Sequence, residues 1–208
     1  MPVTEIQKAR QIMGRGFAGV EEVIQHLGVQ FLDTQLAQLA NVPFSETTLL
    51  ECQKTHILTP GYPISIHELR QRSPSGLIHP SRGPWYGPMP FAAQETVSLR
   101  WYLMRAGILP ESTDKTLEEQ KNLLKHEEIP RACELVYVTI LHYLVSGIRL
   151  FGRGELARCH DIVDRYGNLE NGGVMVGSFG PEGLHISCLW TQYRLYYVGL
   201  ASSRKVES

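Results

Sequence analysis

IPRACELVYVTILHYLVSGIRLF, residues 129–151, carries the strongest structural signal in this chain. Pro130 suits a first helical turn, where its missing N–H has no partner to lose. The 14 residues from Leu135 to Ile148 contain no formal charge. Their apolar side chains fall on every side of a helix instead of on one stripe, and such a helix demands burial all round. The stretch is too short for a bilayer, which takes roughly 20 apolar residues, and it contains Thr139, His142 and Ser146. It predicts a core helix ending near Gly152.

Working back from that helix, the first half of the chain has helical punctuation. Thr4, Ser45 and Ser65 stand at N-cap positions, and Thr116 with Glu119 makes a capping box. Gly28 and Gly107 are stop signals. Helices are expected near 4–13, 20–27, 34–40, 46–55, 65–72, 91–106 and 116–126, with a turn at Pro60-Gly61. Residues 73–90, SPSGLIHPSRGPWYGPMP, hold five prolines and three glycines, too many for a regular element. Leu77, Ile78, Trp85, Tyr86 and Met89 are costly to leave in water, so this stretch is expected to wrap the core and not to act as a linker.

Working forward, the texture changes after Gly154 to short β-like runs at 156–164, 174–179, 184–190 and 195–200, separated by glycine turns. The expected fold is α+β: a mostly helical body over 1–151 packed on a small antiparallel meander over 155–203, in one domain.

The chain has 208 residues and a net charge of −1. Segments 1–75, 76–151 and 152–208 carry 6 basic and 7 acidic, 8 and 8, and 6 and 6 side chains. No basic lobe advertises a nucleic acid. Four scattered cysteines form no C-x-x-C, and the N-terminus has no signal-peptide core, so reduced thiols in a cytoplasm are expected.

Motifs of known chemistry fail on context. Gly14-Arg15-Gly16-Phe17-Ala18-Gly19 matches a dinucleotide fingerprint, but an amphipathic helix precedes it where a buried strand is required. Residues 33–56 have helix-turn-helix spacing, yet the second helix carries Glu46 and Glu51 against Lys54 alone, and phosphate repels it. Cys159, His160, His185 and Cys188 are zinc-type ligands. Strand alternation separates the members of each pair, leaving too few for a site. No catalytic motif, metal set or cofactor motif is found.

The remaining candidates are two aromatic–arginine clusters, a composition found on binding surfaces and equally in cation–π staples. His79, Arg82, Trp85 and Tyr86 make the first. Trp190 and Arg194, with Tyr193, Tyr196 and Arg204 around them, make the second. The blocks KARQIMGRGFAGVEEVIQHLGV, VPFSETTLLECQKTHIL, PISIHELR and GSFGPEGL, with the 129–151 run, resemble a family of bacterial proteins of uncharacterised function. That resemblance implies one conserved unit in a bacterial cell and assigns no activity or residue. The expected function is a non-catalytic binding protein with a protein or small-molecule partner. The alternatives are an enzyme assembled from distant residues such as His79, Cys159 and His185, and a helix-turn-helix regulator.

Overall fold

A computed structural model describes residues 3–79, 85–164 and 172–206. In chain order its elements are helices α1 (Ile6–Met13) and α2 (Val20–Leu27), separated by a 3-10 turn at Gly14–Gly16, then α3 (Asp33–Gln38) and α4 (Glu46–Cys52). Strand β1 (His56–Pro60), α5 (Ile66–Arg72), α6 (Pro90–Ala93), β2 (Trp101–Arg105), α7 (Leu117–Lys121) and β3 (Glu127–Glu128) follow. The core helix α8 (Ala132–Ser146) leads to β4 (Leu156–Val163), β5 (Gly172–Gly180), β6 (Gly183–Trp190), β7 (Val198–Leu200) and β8 (Ser203–Arg204). The fold is α+β. No helix among the described residues is long and apolar enough to cross a membrane.

Every residue of α8 from Ala132 to His142 is buried. The helix meets β1 of one sheet and β4 and β5 of the other, with α2, α5 and α6 around it. It starts later and ends earlier than its composition predicts. Arg131 is the N-cap, and Gly147 closes the helix in the left-handed region at φ 72°, where the absence of a Cβ removes the strain. Two carboxylates serve its N-terminus. Glu134 accepts from the Arg131 N–H at 2.9 Å and Asp161 from the Ala132 N–H at 2.5 Å, where the helix dipole favours negative charge.

The body is not purely helical, which corrects the expected layout. The 91–106 helix is only α6, and Trp101–Arg105 forms β2, paired antiparallel with β1 from His56↔Arg105 to Pro60↔Trp101. Trp101, Tyr102, Leu103 and Met104 are all buried. A short continuous apolar run of this kind fits a two-sided strand as well as a helix, and β1 supplies the partner that resolves it. Pro60 sits on the edge strand, where its missing donor costs no ladder bond.

The meander expectation holds for β4, β5 and β6, which pair antiparallel in sequence. It fails for the last run. β7 pairs parallel to β4, from Leu156↔Val198 to Arg158↔Leu200. β8 then crosses into the other sheet, whose order is β1-β2-β8-β3. Residues 198–204 therefore serve both sheets and tie the chain end to its first half.

Ser45, Ser65 and Thr116 cap α4, α5 and α7 as expected. Thr4 does not cap α1. Its hydroxyl donates to the Phe44 carbonyl at 2.7 Å, and its backbone pairs with Val42. At the N-terminus of α2 the Gly19 N–H is taken by the Glu22 carboxylate at 2.7 Å, which Arg10 in turn holds by an ion pair.

Candidate functional site

β6 organises both candidate clusters, one at each end. At its start, residues 77–79 lie alongside it as an extra strand-like segment. The Leu184 N–H donates to the Leu77 carbonyl at 2.7 Å, and the His79 N–H to the Leu184 carbonyl at 3.0 Å. Gly183, at φ 103°, permits this approach: a Cβ there would run into the Gly76 carbonyl oxygen and lie 2.8 Å from the His79 nitrogen. The indole N–H of Trp85 donates to the Ile186 carbonyl at 3.1 Å. Tyr86 is 1 % exposed and packs with Trp85 and Phe91. Burial pushes its phenol up, against the opposing pull of Arg70. Trp85 and Tyr86 thus fasten this strap to the core. Arg82 lies outside the described residues.

His79 is different. Ile78 and Leu184 are bridged in parallel and both face the core, so the next residue on each segment faces away. That places His79 beside His185, with ring centroids 4.0 Å apart and an interplanar angle of 27°. Glu182, in the turn before β6, brings a carboxylate oxygen to 3.7 Å from His79 Nε2. Burial, with the neighbouring His79 adding to it, holds the His185 imidazole below its ordinary value. The ligating atoms of His79, Glu182 and His185 all lie within 4.8 Å of one another. Strand alternation correctly sets Cys159 inward and His160 outward. It gave no view of His79, which the fold delivers from a hundred residues away.

At the other end of β6, roughly 17 Å away at about 3.4 Å per residue from His185 to Trp190, the chain enters the loop 191–197. Trp190 and Tyr193 pack edge to face at 4.9 Å. Arg194 reaches Glu119 at 2.5 Å with its side chain 56 % exposed. Tyr193, Tyr196 and Tyr197 are exposed at 40 %, 82 % and 38 %. The backbone beneath them is held firmly. Leu117 N–H donates to Thr191, Asp114 N–H to Leu195 and Leu156 N–H to Tyr197.

The main anchor is Arg158 on β4, whose side chain is wholly buried. It donates to the Tyr193 carbonyl at 2.5 Å, the Lys115 carbonyl at 2.8 Å and Gln120 Oε1 at 2.9 Å. No carboxylate faces it in an ion pair among the described residues, and burial draws its pKa down. Two hollows flank the loop. One of about 380 Å³ lies between Thr191, Gln192 and α7. The other, about 560 Å³, is bordered by Ile108, Arg153, Glu155, Tyr196 and Tyr197. Neither Arg158 nor Tyr197 stands out in the sequence; the one hint is an arginine between the small residues Ala157 and Cys159 inside a β-like run.

Several other titratable groups are buried away from both clusters. Burial pushes the Cys133 thiol up to about 12 and the Cys159 thiol well above its ordinary range, so neither is an activated nucleophile. Cys159 sits in the core, bonded to the Ala157 carbonyl, while His79 and His185 meet on the surface of β6. His142 is a core histidine beside Ser146, drawn down to about 4 by burial. His56 and Arg105 both hold the largely buried Glu127 carboxylate, which joins β1, β2 and β3. No protein-family model, no curated protein and no solved structure matches this chain.

Proposed function

We propose that this chain is a binding protein that recognises a protein partner through the loop 191–197. The observation that carries the proposal is the contrast within that loop: three exposed tyrosines stand on a backbone pinned by a wholly buried arginine. Tyrosine offers a large amphipathic contact area with few rotatable bonds. A backbone already fixed in its final geometry spares the ordering cost of association. Arg194 and the flanking hollows add the polar rim and the concavities that such contacts use.

The surrounding charges are mixed, with Arg153, Glu155, Glu118 and Lys121 nearby, and no basic stripe favours nucleic acid. The helix pair at 33–52 offers no better footing, because Glu46 and Glu51 border the would-be recognition helix. Four cysteines without disulfides support a reducing compartment, a bacterial cytoplasm on the family resemblance.

Site-specific photocrosslinking tests this. A photoreactive phenylalanine at Tyr196, and another at the exposed Leu50 of α4 as a control, are compared in a lysate of the source cells. A discrete adduct from position 196, absent from position 50 and competed by unmodified protein but not by Tyr193→Ala/Tyr196→Ala protein, supports the proposal. Identical adducts from both positions, or none from 196, overturn it.

A further inference from the structure

We infer that His79, Glu182 and His185 bind one divalent cation of the borderline class represented by zinc. This site is separate from the tyrosine loop, at the opposite end of β6.

The backbone builds the donor set. The Ile78↔Leu184 bridge fixes the register of the strap against β6, and that register sets the two imidazoles side by side on the outer surface. The tight turn before Gly183 returns the chain so that Glu182 lies against them. Two separate segments thus deliver two nitrogens and one oxygen to one point, the donor combination that suits zinc and its neighbours and disfavours magnesium or calcium.

None of the three groups is committed elsewhere. Among the described residues, neither imidazole makes a side-chain hydrogen bond, and His79 Nδ1 is buried without a partner. The 3.7 Å between His79 and Glu182 is beyond hydrogen-bond range. Two stacked imidazoles and a carboxylate thus stand together with no hydrogen bond among them, and a cation between them would engage a lone pair from each.

The adjustment required is small. A metal about 2.0–2.2 Å from each donor holds the donors about 3–3.5 Å apart, against separations of at most 4.8 Å here. The rings are stacked with 27° between their planes, so their in-plane lone pairs lie in two near-parallel planes. Turning one ring about its Cβ–Cγ bond makes the lone pairs converge and ends the stacking. Glu182, with 77 % of its side chain exposed, is free to follow. Three protein ligands leave a fourth position for water. The bound ion would also clamp the 73–79 strap to the β5–β6 hairpin.

The test uses the full chain stripped with a chelator and titrated with zinc chloride by calorimetry and with cobalt chloride by visible absorption. Magnesium chloride is the comparison. The expected result is one zinc or cobalt per chain, cobalt ligand-field bands without a thiolate charge-transfer band, and no response to magnesium. Glu182→Gln and His185→Ala should each weaken zinc at least about 100-fold, since even outer-shell changes cost 10–100-fold. Zinc should raise the melting temperature of the unaltered protein and leave that of His185→Ala unmoved. Glu182 lies in an exposed turn, so its variant reports on the site even if a histidine variant folds poorly. No saturable binding, binding unchanged in Glu182→Gln, or a thiolate band that places the ion on cysteines overturns the inference. Photocrosslinking from position 196 does not depend on this site, so the two proposals fail separately.

Discussion

The guanidinium of Arg158, with no exposed surface, donates a hydrogen bond to the main-chain carbonyl of Tyr193 on an outer loop. Burying such a group without a carboxylate is costly, and what it secures is the shape of residues 191–197. Arg158→Met keeps the bulk and removes the donors, leaving three acceptors without their partner, one buried and two part-buried, at about 1 kcal/mol each. A loss of about 2–4 kcal/mol in urea unfolding is expected, with faster amide exchange confined first to 191–197. An unchanged midpoint would show that the loop holds itself.

Gly183 gives a sharper test of the strap. Its φ of 103° lies where a side chain is strained, and a Cβ would strike the Gly76 carbonyl. Gly183→Ala should cost more than about 1 kcal/mol, the scale for alanine forced to positive φ. It should also expose 73–90 to limited proteolysis and red-shift the Trp85 emission. Full protease resistance would mean that the strap is held by Tyr86 and Phe91 packing alone.

Leu141, with no exposed surface at the middle of α8, tests the core. An aspartate there places an unpaired charge between the two sheets, which typical domain stabilities of about 5–15 kcal/mol do not absorb. Leu141→Asp should show no cooperative unfolding transition. Ile148→Asp, just past the helix end at 43 % exposure, should unfold normally. A stable Leu141→Asp protein would remove α8 from the centre of the fold.

How much of this was legible in the sequence follows from the range of each signal. Core helix α8 was legible because its evidence is local, an unbroken uncharged run, although it ends at Gly147 inside that run and not near Gly152. Three N-caps were legible for the same reason. β2 was not, because Trp101–Arg105 has a two-sided burial that only its pairing with β1 explains. β7 falls within the run expected at 195–200, but its parallel pairing with β4 was not legible, nor was β8, because pairing across dozens of residues leaves no local trace. The site residues divide likewise. His79, Trp190 and Arg194 stood out by composition, whereas Glu182 matters only because a parallel bridge places His79 beside it. Arg158 matters only because its strand position turns it inward toward Tyr193.

Two buried groups set the windows in which acid destabilises the fold. Burial draws His142 from 6.5 to about 4, so between these values the unfolded chain binds a proton that the folded chain refuses. Stability therefore falls as pH drops from about 6.5 to 4, by up to about 3 kcal/mol at 1.36 kcal/mol per unit. Glu127 acts lower. Burial alone would raise its carboxyl, but hydrogen bonds from His56 and Arg105 outweigh burial and bring it down to about 2. A depressed carboxyl stabilises above its unfolded value of 4.5 and loses that contribution as pH falls through about 2. Asp161, raised by burial, works in the opposite sense, so single variants isolate each group better than the whole profile does. His142→Gln should flatten the slope between pH 6.5 and 4 and leave the lower range alone. Glu127→Gln should do the reverse, at a cost in stability at neutral pH. Equilibrium urea unfolding across pH 2–7 checks both, and parallel profiles for His142→Gln and the unaltered protein would show that His142 is not the group titrating.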